Sequence, residues 1–352
     1  MAAIEEKSST LLAGCEVESG DVWTKVGTRN TVRDLDALRS ALGDDLLTYV
    51  GYSYGTTVGI EYGRMFPERI RAMVLDGVAL PAIDPVEATH LQAQAFEKNF
   101  DAFLDDCEER PDCLFGDGDP RKAFADLVAE LEGGTRLPAD YTLPDSDGNM
   151  HRRRGTVGIG ELYNGVVVAL YAKENWIALE TALAAASRGD GQLLLYLRDT
   201  FAGRGDDGVW SHLPEANLAI NCADQEVRAE DADGDDALRA AWGAELPLLG
   251  DLFAVGTPGC FGTPEAEESL TPLADGDLDD VPAVVVIGAT DDPATPYARS
   301  EELRDLLPEA SLVTWESADH TAYGRGSDCL DDPVTDYLED LTLPADGLRC
   351  SP

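Results

Sequence analysis

The chain has 352 residues and a formal net charge of −42, from 68 acidic and 26 basic side chains. This acidity argues against nucleic acid and anionic membranes as partners, because like charges repel. No stretch reaches the ~18 consecutive apolar residues of a membrane span, and the first residues have neither the basic nor the apolar region of a signal peptide. With 44% apolar residues, the chain is long enough to bury a large core.

The segment Gly51-Tyr-Ser-Tyr-Gly55 is the first that predicts chemistry. Residues 46–50 before it are apolar and rich in β-forming side chains, and helical spacing follows it as far as Phe66. A strand, a tight turn and a helix with Ser53 at the bend make a nucleophile elbow. The backbone N–H of Tyr54, at the helix start, would stabilise a developing oxyanion.

The sequence also predicts the elements on either side of the elbow. Upstream these are a helix over 2–12, a loop over 15–28 and an amphipathic helix over 31–43, whose expected buried stripe is Val32, Leu35, Leu38 and Leu42. Downstream, residues 71–75 are a predicted strand, ended by the turn residues Asp76 and Gly77. A strand, a helix and a strand without a hairpin turn predict a parallel βαβ unit.

Residues 85–275 differ in character and are predicted to form a mostly helical lid, with helices over 87–104, 123–131 and 176–188. The segments between them, such as 116–120 and 142–148, are rich in Gly, Asp and Pro and are expected to be loops. No strand alternation is evident. Residues 231–236 resemble a calcium loop but lack the required Gly and Glu, so a solvated acidic loop is expected. We expect no metal and no other cofactor.

The α/β pattern returns after residue 275. The predicted elements are a central strand over 281–288, a loop over 290–296, a helix near 298–307, a strand over 311–315 and a helix over 332–341. The sequence therefore predicts an α/β core in two parts, 1–84 and 276–352, with the lid at 85–275 between them. Its sheet is expected to be mostly parallel, with helices on both faces.

Reactive side chains follow three of these predicted strands. Loops at the carboxyl ends of parallel strands meet at one sheet edge, so Ser53, His320 and an acid are expected to gather there. Their order is that of α/β-hydrolases, with Ser53 as nucleophile, His320 as general base and the acid orienting the imidazole. Asp292 is preferred because Pro293 fixes the backbone beside it, but spacing leaves Asp291 open. The other histidines fall within the predicted lid: His90, His151 and His212.

The chain resembles the secreted tripeptidyl-aminopeptidase-like serine peptidases of actinobacteria, α/β-hydrolases related to prolyl aminopeptidases. The resemblance is carried by residues 31–43, 51–56, 65–77, 219–224 and 292–296 and by the Cys329 to Cys350 tail, which span most of the chain. It implies that Asp292 is the acid of the triad. Where the family has Gly-His at the catalytic histidine, this chain has Asp319-His320.

The seven cysteines form no C-x-x-C pair, and the chain has only four histidines, which argues against a zinc site. Close pairs in loop-like surroundings indicate disulfides and an oxidising compartment. The resemblance implies three pairs, with Cys15 left over: Cys107–Cys113, Cys222–Cys260 and Cys329–Cys350.

The resemblance also implies a difference at the N-terminus. Family members begin with a signal peptide and several strands, and a His-Gly-Gly-Pro-Gly-like loop supplies half of their oxyanion hole. This sequence contains no such loop, so only the Tyr54 N–H half is expected here. With the unpaired Cys15, this predicts that the first strands of the sheet are absent. Losing one oxyanion donor typically costs about 10²–10³ in rate.

The expected function is that of a serine exopeptidase releasing short peptides, tripeptides by resemblance, from substrates with a free N-terminus. Asp224 is the candidate partner for the substrate amine. The parent protein is expected to be secreted or in the cell envelope, and no oligomeric state is predicted. Two alternatives stand beside this reading. One is an esterase on small esters, and the other is a catalytically silent fragment or binding protein.

The acidity itself yields a prediction. It is either an adaptation to high salt, where counter-ions screen the self-repulsion, or the property of a merely acidic protein. If the first interpretation holds, the melting temperature rises as NaCl is added. Calorimetry over a salt series measures this, and a melting temperature that stays constant leaves the second interpretation.

Overall fold

The computed structural model describes residues 10, 13–145, 147–205, 207–225, 232–256, 260 and 268–352. The chain divides into two compact units. Unit 1 comprises Met1–Ala95, Glu215–Ala241 and Phe253–Pro352, and unit 2 comprises Phe96–Pro214 and Trp242–Leu252. Within the described ranges, no helix combines the length and apolar character needed to cross a membrane.

The strands are β1 (Leu47–Tyr52), β2 (Ile70–Asp76), β3 (Leu137–Pro144), β4 (Met150–Val157), β5 (Val284–Ala289), β6 (Ala310–Trp315) and β7 (Arg349–Cys350). The first helices are α1 (Thr28–Leu42), α2 (Tyr54–Met65), α3 (Pro85–Glu109), α4 (Pro120–Glu132), α5 (Ile159–Ala169) and α6 (Trp176–Ala186). Those that follow are α7 (Gln192–Phe201), α8 (Leu213–Asp224), α9 (Ala232–Glu245), α10 (Gly250–Gly256), α11 (Tyr297–Leu306) and α12 (Asp328–Asp340).

Unit 1 is built on a five-stranded sheet in the order β1-β2-β5-β6-β7, and all of its neighbouring strands pair in parallel. Every residue of β5 is buried, as expected of a central strand that packs on both faces. One face packs against α1, α2 and α11, with Val284 and Val286 in that cluster. The other packs against α12, with Val285 and Ile287. The prediction of a mostly parallel sheet with helices on both faces is confirmed.

The predicted buried stripe of α1 is only half right. Val32 is fully buried and Leu35 packs against the core, but Leu38 and Leu42 are 55% and 70% exposed. The inward face instead carries Thr28, Val32 and Asp36, four residues apart. The carboxylate of Asp36 is accommodated because Arg39, Arg69 and Tyr62 donate hydrogen bonds to it.

Several predicted loops contain regular structure. Residues 13–19 are helical and a 3-10 helix covers Gly20–Lys25, so the loop expected over 15–28 is wrong there. In unit 2, β3 and β4 form an antiparallel hairpin, and the first three residues of the loop expected over 142–148 belong to β3. Apart from Thr10, the helix predicted over 2–12 lies outside the described residues. Residues 231–236, expected to be a loop, are helical from Ala232, and their side chains also lie outside the description.

Unit 2 holds an aromatic core and buried polar groups of its own. The ring of Phe100 meets that of Phe124 edge-on at 4.7 Å between centroids, and Phe103 meets Trp176 in the same way at 5.8 Å. The buried carboxylate of Glu97 accepts hydrogen bonds from the backbone N–H groups of two consecutive residues, Leu248 and Leu249. Such bonds offset the cost of burying a charge.

The structure forms the three expected disulfides and leaves Cys15 as a free thiol. Cys107–Cys113 closes the end of α3 in unit 2. In unit 1, Cys222–Cys260 anchors the last turn of α8, and Cys329–Cys350 ties the start of α12 to β7. The last of these bonds holds β7 in its place beside β6, at the edge of the sheet.

Candidate active site

Ser53 occupies a strained bend between β1 and α2. Its φ of 53° and ψ of −123° lie outside the ordinary regions for a residue with a side chain. Strand and helix cross closely here, because a Cβ on Gly51 would lie 2.5 Å from the carbonyl oxygen of Gly55. The backbone N–H of Ser53 donates to the carbonyl of Asp76 at 2.9 Å. The elbow predicted from the sequence is therefore present, with its backbone tied to the end of β2.

Asp292 and His320 form a hydrogen-bonded pair. The imidazole Nδ1 lies 3.0 Å from both carboxylate oxygens of Asp292, which is 2% exposed. The same carboxylate accepts from the backbone N–H groups of Ala294 and Thr295 and from the Thr295 hydroxyl, each at 2.8 Å. These donors stabilise its ionised form, and Nδ1 as the donor to Asp292 leaves Nε2 as the proton-accepting nitrogen.

The sheet topology brings these groups to one edge of unit 1. Ser53, Asp292 and His320 follow β1, β5 and β6, whose carboxyl ends lie side by side with that of β2. The turn after β2 is packed against the pair, since a Cβ on Gly77 would lie 2.9 Å from the Thr295 hydroxyl and 3.4 Å from His320 Cε1. Gly77 also has a φ of +71°, so two separate constraints require glycine there.

Asp76 makes contacts at this sheet edge that its position in the sequence did not predict. The prediction treats it as a turn residue, but its side chain is fully buried and Oδ2 accepts from the backbone N–H groups of Ala322 and Tyr323, both at 2.8 Å. Burial raises the pKa of the Asp76 carboxyl to about 6, and the nearby charge of Asp292 raises it further. The sequence signal available was an acidic residue directly after the apolar run over 72–75.

Asp319, the departure from the family pattern, is also buried. It accepts hydrogen bonds from the indole N–H of Trp315 at 3.1 Å and from the hydroxyl of Ser317 at 2.7 Å. Both donors come from the end of β6 and the loop that follows it. The carboxylate of Asp319 therefore stabilises the loop that carries His320, on the N-terminal side of the histidine.

Asp224 is connected to the elbow through a single threonine. One carboxylate oxygen accepts from the backbone N–H of Thr28 at 2.7 Å and the other from the Thr28 hydroxyl at 2.6 Å. The same hydroxyl meets the phenol of Tyr54, the residue after Ser53. Burial raises the pKa of the Asp224 carboxyl. Asp224 thus satisfies an unpaired N–H at the start of α1, and its amine-binding role stays a prediction.

Comparison with known proteins gives a consistent result. Residues 247–350 match the family described as TAP-like protein. The chain is 34% identical over 360 residues to serine protease Hip1 of Mycobacterium tuberculosis, covering 99% of this chain and 66% of that protein. It is 33% identical over 342 residues to carboxylesterase B of the same species, covering 93% and 61%. For tripeptidyl aminopeptidase of Streptomyces lividans the identity is 28% over 351 residues, covering 96% and 61%.

The parallel sheet, the elbow and the loops beyond β5 and β6 define an α/β-hydrolase fold. Within that superfamily, residues 247–350 are similar to the TAP-like proteins, and the relatives named above are similar to this chain over 93–99% of its length. It spans between 61% and 66% of the length of the three relatives named above.

The raised pKa of Asp76 predicts how stability depends on pH. The pKa of this carboxyl is near 6 in the folded state, against a reference value of 3.8 for the unfolded chain. Between these two pH values the folded state therefore binds more protons than the unfolded state. Its contribution to stability is present below pH 4 and is lost as the pH rises through 6. We therefore expect the free energy of unfolding of the wild type, relative to Asp76→Asn, to fall by about 2 kcal/mol from pH 4 to pH 7. Urea titrations at several pH values measure this difference, and parallel curves would contradict it.

Proposed function

We propose that the chain is a serine hydrolase in which Ser53, Asp292 and His320 form a catalytic triad. The observation that carries the proposal is the hydrogen-bonded pair of Asp292 and His320 at the same sheet edge as the strained Ser53. Strain at a single non-glycine residue persists only where surrounding structure holds it, and such residues concentrate at functional sites.

The roles follow from elementary chemistry. Ser53 Oγ attacks a carbonyl carbon while Nε2 of His320 takes the hydroxyl proton. Asp292 keeps Nδ1 protonated and stabilises the imidazolium that forms. His320 then gives the proton to the leaving amine as the C–N bond breaks, which leaves an acyl group on Ser53. Water, deprotonated by the same imidazole, releases the acid product.

The oxyanion would be met by the backbone N–H of Tyr54. This is the first residue of α2, so its N–H has no acceptor within the helix. The positive end of the helix dipole adds to the attraction for negative charge at this point. Tyr54 is therefore the donor that we assign from the residues of this chain.

We propose peptides with a free N-terminus as substrates, cleaved to release tripeptides. The relatives named serine protease and tripeptidyl aminopeptidase support a peptidase. The segment 85–275 would act as a lid that limits access to chain ends, as the sequence predicted. Asp224 remains our candidate for the substrate ammonium, because a carboxylate oxygen that accepts one hydrogen bond from Thr28 retains a second lone pair.

A small-ester esterase is the second candidate, supported by the relative named carboxylesterase B. The triad does not distinguish amides from esters, since both pass through an acyl-enzyme. We further propose that the protein works in an oxidising compartment outside the cytosol, which the three disulfides support.

Fluorophosphonate labelling of the 352-residue chain tests the triad. We expect labelling of Ser53, its loss in Ser53→Ala, and about 10³–10⁴-fold slower labelling in Asp292→Asn, because the imidazole loses its orienting anion. Asp291→Asn is the matched control and should label at the wild-type rate. A folded wild-type chain that does not label would favour the silent fragment or binding protein.

Peptide assays test the substrate proposal and Asp224 together. Release of tripeptides from an unblocked peptide, but not from its N-acetylated form, is the expected result. Asp224→Asn should raise KM for the unblocked peptide about tenfold or more, since a charge-assisted hydrogen bond to the amine is lost. The control is Asp36→Asn, another buried carboxylate at α1, which should lower the melting temperature without changing KM. An unchanged KM in Asp224→Asn would remove the amine-binding role and leave the capping of α1.

A further inference from the structure

The loop that carries His320 contains a strained residue next to the imidazole. Thr321 has a φ of 68°, which is an outlier for a β-branched side chain. Conformations of this kind are costly and persist only where the surroundings over-determine them. Something outside the loop must therefore hold the backbone immediately after His320.

Asp76 makes the contacts that can do this. Its Oδ2 accepts from the N–H groups of Ala322 and Tyr323, the two residues that follow the strained Thr321. Its backbone carbonyl accepts from Ser53 N–H. A single residue at the end of β2 thus binds the elbow through its main chain and the histidine loop through its side chain.

The other oxygen of Asp76 adds to the cost of placing a carboxylate here. Oδ1 is buried and has no hydrogen-bond partner among the described residues. A buried carboxylate with one unpaired oxygen is costly. The two bonds from Ala322 and Tyr323 require an acceptor at this point, and a carboxylate oxygen accepts both because it has two lone pairs.

We propose that Asp76 is a positioning residue that holds the loop of His320 so that the imidazole stays in contact with Asp292 and in reach of Ser53. It touches neither substrate nor the reacting atoms. The inference rests on the proposed catalytic role of His320. Its structural part, the placement of the imidazole, is measurable without any substrate.

The test compares Asp76→Ala with Asp76→Asn in the full chain. The asparagine carbonyl keeps an acceptor for the two N–H groups, whereas alanine removes it. In wild-type protein the Nδ1 proton shared with Asp292 should give a low-field NMR signal, assigned by its loss in His320→Gln. We expect the signal to persist in Asp76→Asn and to disappear in Asp76→Ala. Fluorophosphonate labelling of Ser53 should slow about 100-fold in Asp76→Ala and stay within about tenfold in Asp76→Asn, as a small misplacement of a catalytic group predicts.

Glu97 provides the matched control, because it is another buried carboxylate that accepts from two consecutive backbone N–H groups. Glu97→Ala should lower the melting temperature as Asp76→Ala does, but it should keep the low-field signal and the labelling rate. A folded Asp76→Ala that keeps both would overturn the proposal.

If Asp76→Ala does not fold, hydrogen exchange on the wild type decides the question. The Ala322 and Tyr323 amides should be protected, and faster exchange of the same two amides is expected in Asp76→Asn. Exchange at the unstructured rate in the wild type would overturn the inference. A wild-type chain that does not label Ser53 would count against the proposed function. The NMR signal and the exchange rates would still test the role of Asp76, because neither measurement depends on labelling.

Discussion

Parallel pairing of β1, β2, β5 and β6 is the constraint on which the candidate site depends. Because the four strands run in the same direction, the loops after them emerge at one edge of the sheet, although Ser53 and His320 are far apart in sequence. The register places the carboxyl ends of β1 and β2 side by side, with Tyr52 opposite Asp76. The backbone bond from Ser53 to Asp76 continues this ladder by one residue into the elbow.

Three buried carboxylates stabilise this edge in a protein that already carries a large negative charge. Asp292, Asp76 and Asp319 are each less than 5% exposed, and each accepts hydrogen bonds from nearby N–H or O–H groups. An unpaired buried charge would be costly, and these bonds offset part of the cost of burying the three acids. Asp76 is the least well compensated of the three, which is consistent with its raised pKa.

The local parts of this arrangement could be predicted from the sequence. The elbow at Ser53, the apolar strand before Asp292 and the helix after it all depend on spacing and turn chemistry within a dozen residues, and the observed elements agree with them. Predictions that needed the orientation of an element were less reliable. Leu38 and Leu42 fit the helical period as well as Val32 does, but which face of α1 turns inward depends on the neighbouring α2 and on the partners of Asp36. The sequence did not predict the β3–β4 hairpin, because β3 contains Pro and because charged side chains of the two strands pair with one another across the hairpin.

By itself, the sequence determined the order of Ser, acid and His, the α/β pattern around them and the family resemblance, because these depend on residue types and on contacts between near neighbours. Only the tertiary structure decided which acid meets the imidazole, since Asp291 and Asp292 are adjacent in sequence and the observed contact to His320 is made by Asp292. It also decided that Asp76 braces the loop of His320 and that Asp224 caps α1. Both contacts join residues about 200 or more positions apart, and such pairs are defined by how the strands and helices pack and not by any local pattern.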